Sequence, residues 1–136
     1  MSKGPALTQA QRRLVFERDA WRCRRCGLSS PLTIHHRRPR SMGGTRRIEI
    51  NGYDNLVTLC GSGTTGCHGW VEKNRRIAYA LGWLVPSWAD PTSWPIRLAE
   101  GVWAQPREGH WNRLVSGTEW QETELREIGG QDARQR

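Results

Sequence analysis

The sequence predicts a small α+β domain, and three features carry that reading. Thr8 and Gln11 are spaced as a capping box, opening a helix that runs to about Arg18. Residues 31–60 alternate as short strands do, over Leu32–His35 and Leu56–Leu59, with a Gly43-Gly44 turn between them. A second helix follows from about Gly66 to Leu81. Trp70, Asn74, Ile77 and Leu81 share one face of it, Val71 and Ala78 sit beside them, and Gly82 stands where a C-terminal glycine cap belongs.

A chain of 136 residues fits one domain. Residues 1–7 read as a flexible arm and 8–82 as the core. Residues 83–116 form a Trp- and Pro-rich extension. There Pro95–Gln105 is expected to make a hairpin around Glu100-Gly101, and Trp111–Val115 to add a third strand of a small β meander. Residues 117–136 are polar and read as a disordered tail.

The formal charge is +8, and arginine supplies nearly all of the positive part. Between Arg12 and Arg47 stand eleven arginines against two acids, Glu17 and Asp19. Such an excess points to a polyanion, because each neutralised phosphate releases condensed counterions. A merely solvated basic surface is the competing reading. No run approaches the roughly 18 apolar residues of a membrane span. The opening MSKGPALTQAQRR lacks the apolar stretch of a signal peptide. The expected setting is therefore cytoplasmic, where cysteines serve as metal ligands more often than as disulfides.

The four cysteines form two pairs. Cys23 and Cys26 make C-x2-C on a tight knuckle, and Cys60 and Cys67 are separated by the small, flexible loop GSGTTG. Two such pairs give the closed thiolate site of structural zinc. Two buried or redox pairs are the alternative. Between and beside the cysteines lie His35-His36, Asn55 and His68. Adjacent side chains of a strand face opposite ways, so His35 and His36 cannot do the same job. His68 begins the second helix, with Glu72 one turn on, and the two can grip an ion from one side. Arg37, Arg38, Arg40, Arg46 and Arg47 flank the histidine pair and are expected to contact phosphates of that polyanion.

The segment RDAWRCRRCG…IHHRRPRSMGG…DNLVTLC…CHGWVE resembles the HNH endonucleases, and is similar to the small members found in phage genomes. The likeness spans about residues 12–76. It implies a ββα-metal (His-Me finger) core with the four-cysteine zinc site, an N-terminal helix and the C-terminal extension appended. It implies His36 as general base, Asn55 as the residue orienting that base, and His35 and His68 as ligands of one catalytic divalent ion. Glu72 stands where many members carry a further histidine. Phosphodiester hydrolysis agrees with these residue types. A near-neutral histidine activates water, and Mg, Mn, Ni or Zn neutralises the developing charge. The resemblance further implies DNA as substrate, a phage-related role inside a bacterial host cell and a terminase as partner. A zinc-knuckle nucleic-acid-binding protein without catalysis is the alternative. It needs the cysteines and arginines but not His36 or Asn55.

Overall fold

A computed structural model describes residues 6–39, 50–99 and 101–132. Helix α1 (Gln9–Arg18) opens at Thr8. The Thr8 hydroxyl accepts from the Gln11 backbone N–H, and the Gln11 side chain accepts from the Thr8 N–H. Strands β1 (Leu32–His36) and β2 (Leu56–Cys60) pair antiparallel, with Thr33 opposite Leu59, His35 opposite Val57 and His36 opposite Leu56. Each strand runs one residue past its expected end, so His36 and Cys60 belong to the ladder. Strand β2 is buried throughout, because α1 and a second helix both pack on it.

The helix expected over Gly66–Leu81 is two helices, α2 (Gly66–Lys73) and α3 (Arg75–Leu81). Asn74 leaves the helical region at φ −130°, ψ 55°, and its side-chain amide donates to the Trp70 carbonyl at 2.9 Å. Asparagine competes in this way for carbonyls that a continuing helix would use. Gly82 ends α3 at φ +93°. A Cβ there would lie 2.0 Å from the Pro95 carbonyl oxygen, so only glycine fits the cap.

The extension holds a three-stranded antiparallel sheet, β3 (Ile96–Arg97), β4 (Trp103–Pro106) and β5 (Trp111–Leu114). Residues 119–132 depart from the expected disordered tail. Helix α4 (Glu119–Asp132) packs on α3. Its start is pinned by a second capping box: Thr118 and Gln121 exchange bonds of 3.0 and 3.1 Å. Gln121 is fully buried and donates to the Pro95 carbonyl, and Ile128 is buried further along. A polar composition concealed one apolar face and a cap. Among the described residues, no helix is long and apolar enough to cross a membrane.

Two buried arginines join these parts. Arg18 pairs through two nitrogens with Asp19 at 2.7 and 3.0 Å, and also donates to the carbonyls of Tyr53, Leu56 and Arg107. Asp19 in turn accepts from the Thr58 backbone and the Trp111 indole, both at 2.9 Å. Arg37 is fully buried and donates to the carbonyls of Gly82, Asp54, Pro91 and Trp94. Each buried carbonyl left unpaired costs about 1–3 kcal/mol, so Arg37→Met is expected to lose about 3 kcal/mol or more. Urea unfolding at matched zinc content measures this. An Arg37→Met protein as stable as the parent would show that these bonds contribute nothing.

Candidate active site and metal centre

The four cysteine sulfurs lie within 4.8 Å of one another. Tetrahedral zinc with Zn–S of about 2.3 Å requires sulfurs about 3.8 Å apart, so the cluster fits that ion. The turn geometry explains how C-x6-C closes. Gly61 sits at φ +88°, where a Cβ would meet the Thr65 carbonyl oxygen at 2.1 Å, and Ser62 bridges Thr65. The loop thus doubles back and returns Cys67 to Cys60. Backbone N–H groups of Cys26 and Cys67 point at the sulfurs of Cys23 and Cys60, both at 3.4 Å. Arg25 lies over the Trp70 ring and donates to the Cys67 sulfur at 3.3 Å. Such donors favour thiolate. A hydrogen bond from Cys67 holds the Cys23 thiol down at about 4, and Cys67 is correspondingly pushed up. Among the described residues this is the one cluster of three or more metal-ligating side chains.

Thr33 and His35 are two residues apart on β1 and face the same side. Both meet His68, from the first turn of α2. The rings of His35 and His68 lie edge to face, with centroids 5.1 Å apart. His35 Nε2 donates to the Trp83 carbonyl at 2.7 Å, so its lone pair is on Nδ1. His68 Nδ1 lies 3.0 Å from the Thr33 hydroxyl. That hydroxyl donates its single proton to the Leu59 carbonyl, so it accepts from His68 and leaves the lone pair on Nε2. Burial pushes the pKa of His35 down to about 3, outweighing the Trp83 bond that opposes it. Burial also lowers His68, against the pull of Glu72. Both rings are therefore neutral near pH 7, the form that ligates metals. Glu72 is exposed on α2, paired with Arg75 at 2.7 Å, and does not form a three-ligand cluster with the two histidines.

His36 is half-buried, and its Nε2 donates to the Asn51 side-chain oxygen at 2.9 Å. Asn51 is the partner that sequence reasoning missed. The only available signal was a second asparagine in NGYDN, four residues before Asn55. Asn55 is fully buried, and its amide serves the backbone: Oδ1 accepts from the Arg38 N–H at 2.8 Å, and Nδ2 donates to the carbonyls of Arg38 and Ile50. It fixes the chain two residues beyond His36.

The phosphate-contacting role expected of Arg37 and Arg38 is corrected. Arg37 is enclosed by carbonyls, and burial pushes its pKa down to about 9. Arg38 is 4 % exposed, and its Nη2 donates to the Ser87 carbonyl at 2.7 Å. Neither guanidinium faces solvent. Arg40, Arg46, Arg47 and the Gly43-Gly44 turn lie outside the described residues.

Residues 23–69 match the family model described as HNH endonuclease, the family that the sequence resembles. The match starts at Cys23, the first cysteine of the cluster, and ends just past His68. No curated protein and no solved structure matches the chain.

If the cysteines hold zinc, the purified protein should carry about one zinc per chain, and Cys23→Ser or Cys60→Ser should lose both the metal and the fold. Elemental analysis and circular dichroism read the two effects. A zinc-free parent with a well-folded Cys23→Ser variant would overturn the site.

Proposed function

We propose that this chain, with its HNH endonuclease match over residues 23–69, is a metal-dependent DNA endonuclease. The observation that carries the proposal is the pair His35 and His68. Each donates its other ring N–H to a fixed oxygen, Trp83 O and Thr33 Oγ1, and each keeps a lone pair. Outer-shell bonds of this kind orient histidine ligands and raise their basicity. His35 Nδ1 and His68 Nε2 would hold one divalent ion, with water and substrate oxygens completing its shell. Mg, Mn, Ni and Zn all accept such a set. When bound, that ion supplies Lewis-acid neutralisation at the scissile phosphate and leaving oxygen.

His36 acts as general base. It draws a proton from the attacking water, and the Asn51 oxygen stabilises the resulting imidazolium through Nε2–H. Asn55 is a positioning residue that anchors the backbone at Arg38 and Ile50, both within the stretch that joins His36 to β2. Glu72 stands outside the ligand set, held by Arg75. The finer reading, a phage-encoded enzyme that nicks or processes genomes beside a terminase in a bacterial cytoplasm, rests on the sequence resemblance. The competing non-catalytic zinc-knuckle protein would bind DNA but leave it intact.

Nicking of supercoiled plasmid with added Mg, Mn or Ni separates the two. His36→Ala should lose cleavage by about 10²–10⁴-fold while keeping zinc and DNA affinity. His68→Ala should raise the metal concentration needed for half-maximal rate. Asn55→Ala should lower stability as well as rate, because its buried amide serves three backbone groups. If His36→Ala nicks at the parental rate, the base is misassigned. A parent that never cuts leaves the binding protein as the better description.

A further inference from the structure

Three tryptophans from distant parts of the sequence meet on one surface. Trp88, Trp94 and Trp120 have ring centroids 5.3, 5.5 and 5.8 Å apart. Trp94 is buried and donates from its indole to the Tyr79 carbonyl at 3.0 Å, forming the floor. Trp88 is 64 % exposed and Trp120 37 %. The Trp88 ring meets Trp94 at 86° and Trp120 at 70°, so neither indole is stacked flat upon it. The backbone under the rings is fixed. Ala89 closes a turn onto Pro86, and Trp120 sits in the first turn of α4 within the Thr118–Gln121 capping box. Large, rigid and half-wet aromatic surface is costly to leave exposed unless something stacks on it.

The position of the trio is informative. The segment that ends in Trp88 follows the end of the histidine strand. His35 bonds Trp83 O, Arg37 O accepts from Val85 N, and Arg38 Nη2 reaches Ser87 O, the residue before Trp88. The endonuclease reading brings a DNA strand to the end of the histidine strand, and its bases are flat rings that an exposed indole can stack upon.

We infer that Trp88 and Trp120 form a stacking platform for an unpaired nucleobase next to the scissile phosphate. The preferred substrate is then single-stranded or frayed DNA, such as an end, flap or gap. In a closed duplex every base face is already stacked on its neighbours, whereas an unpaired base can slide onto an indole. Stacking of this type is tolerant of sequence. The inference takes the position of the scissile phosphate from the endonuclease reading, but base stacking is measurable without cleavage.

The test uses the intact, zinc-loaded protein without added divalent ion. A single-stranded oligonucleotide and its blunt duplex are titrated against the parent, Trp88→Ala, Trp88→Phe and Trp120→Ala, with circular dichroism to confirm folding. Trp88→Ala and Trp120→Ala should each weaken single-strand binding by roughly five- to a hundredfold, the range that alanine substitution at stacking residues gives. Duplex binding should hardly change, and Trp88→Phe should retain most of the single-strand affinity. Photocrosslinking of oligonucleotides carrying iododeoxyuridine, mapped by mass spectrometry, should mark Trp88 or Trp120. Equal losses on single strand and duplex, or crosslinks only elsewhere, overturn the platform. So does a concentration-dependent dimer that Trp88→Ala abolishes, since a second copy would then be the occupant. Crosslinks at Trp88 in a protein that never cuts plasmid uphold the platform and sink only the nuclease reading.

Discussion

A single guanidinium, that of Arg37, sets the relation between the histidine strand and everything downstream of it. It lies one residue past His36 and is closed off from water. It holds four carbonyl oxygens, from Asp54, Gly82, Pro91 and Trp94. A planar fork of N–H donors can satisfy several carbonyls from different chain segments at once, which an ammonium on a flexible stem does poorly. Those carbonyls belong to the approach to β2, the cap of α3 and the short turn before β3. The end of β1 cannot shift without loosening all three. The extension is therefore part of the site's frame. It supplies Trp83 O to His35 and receives the Arg37 carbonyl at Val85.

Two further staples follow the same logic. A domain of this size buries a limited apolar core, and its parts need fixed cross-links. Asp19 is such a link. It joins α1 to β2 through the Thr58 N–H and to β5 through the Trp111 indole, while Arg18 neutralises it. Trp111 has Arg18 and Arg24 within 5.0 and 5.2 Å of its ring. A buried pair of this kind gains from having every oxygen engaged, because an unpaired partner would carry the full desolvation cost. The cysteine cluster is the third staple, joining the knuckle before β1 to the end of β2 and the start of α2. His68 follows Cys67 directly, so the same cluster that closes the fold sets where the His68 ring begins.

Much of this was legible in the sequence because it rests on local rules. The Thr8–Gln11 cap, the two cysteine pairs, the strand alternation around His35-His36 and the glycine stop at Gly82 each depend on a few neighbouring residues. What was not legible depends on distant partners. Asn74 looked like one more position on a helical face, yet its amide competes for Trp70 and divides the helix. Residues 117–132 looked like a solvated tail, because the buried face of α4 is narrow and its cap uses Thr118 and Gln121, polar residues that also suit a loop. Asn55 was recognisable, but its bonds go to Arg38 and Ile50 backbone atoms. Asn51, which accepts from the His36 ring, carries no spacing signature of its own.

Charge counting failed for a related reason. Arginines in a basic run are counted as if each faced solvent, and a sequence gives no sign of which will be enclosed. Here the side chains of Arg18, Arg37 and Arg38 are taken into the interior, each answering backbone carbonyls. They contribute to the formal charge but have no surface on which a phosphate could sit. Arg12, Arg13 and Arg22 remain exposed on and just after α1, and Arg12 lies over the Phe16 ring, on which the exposed Trp21 stacks at 4.9 Å. A backbone-tracking electrostatic surface must be built from residues of this second kind. The net charge of the chain therefore overstates the number of phosphates it can neutralise. The arginines nearest the histidine pair in sequence serve the site by holding its strand in place.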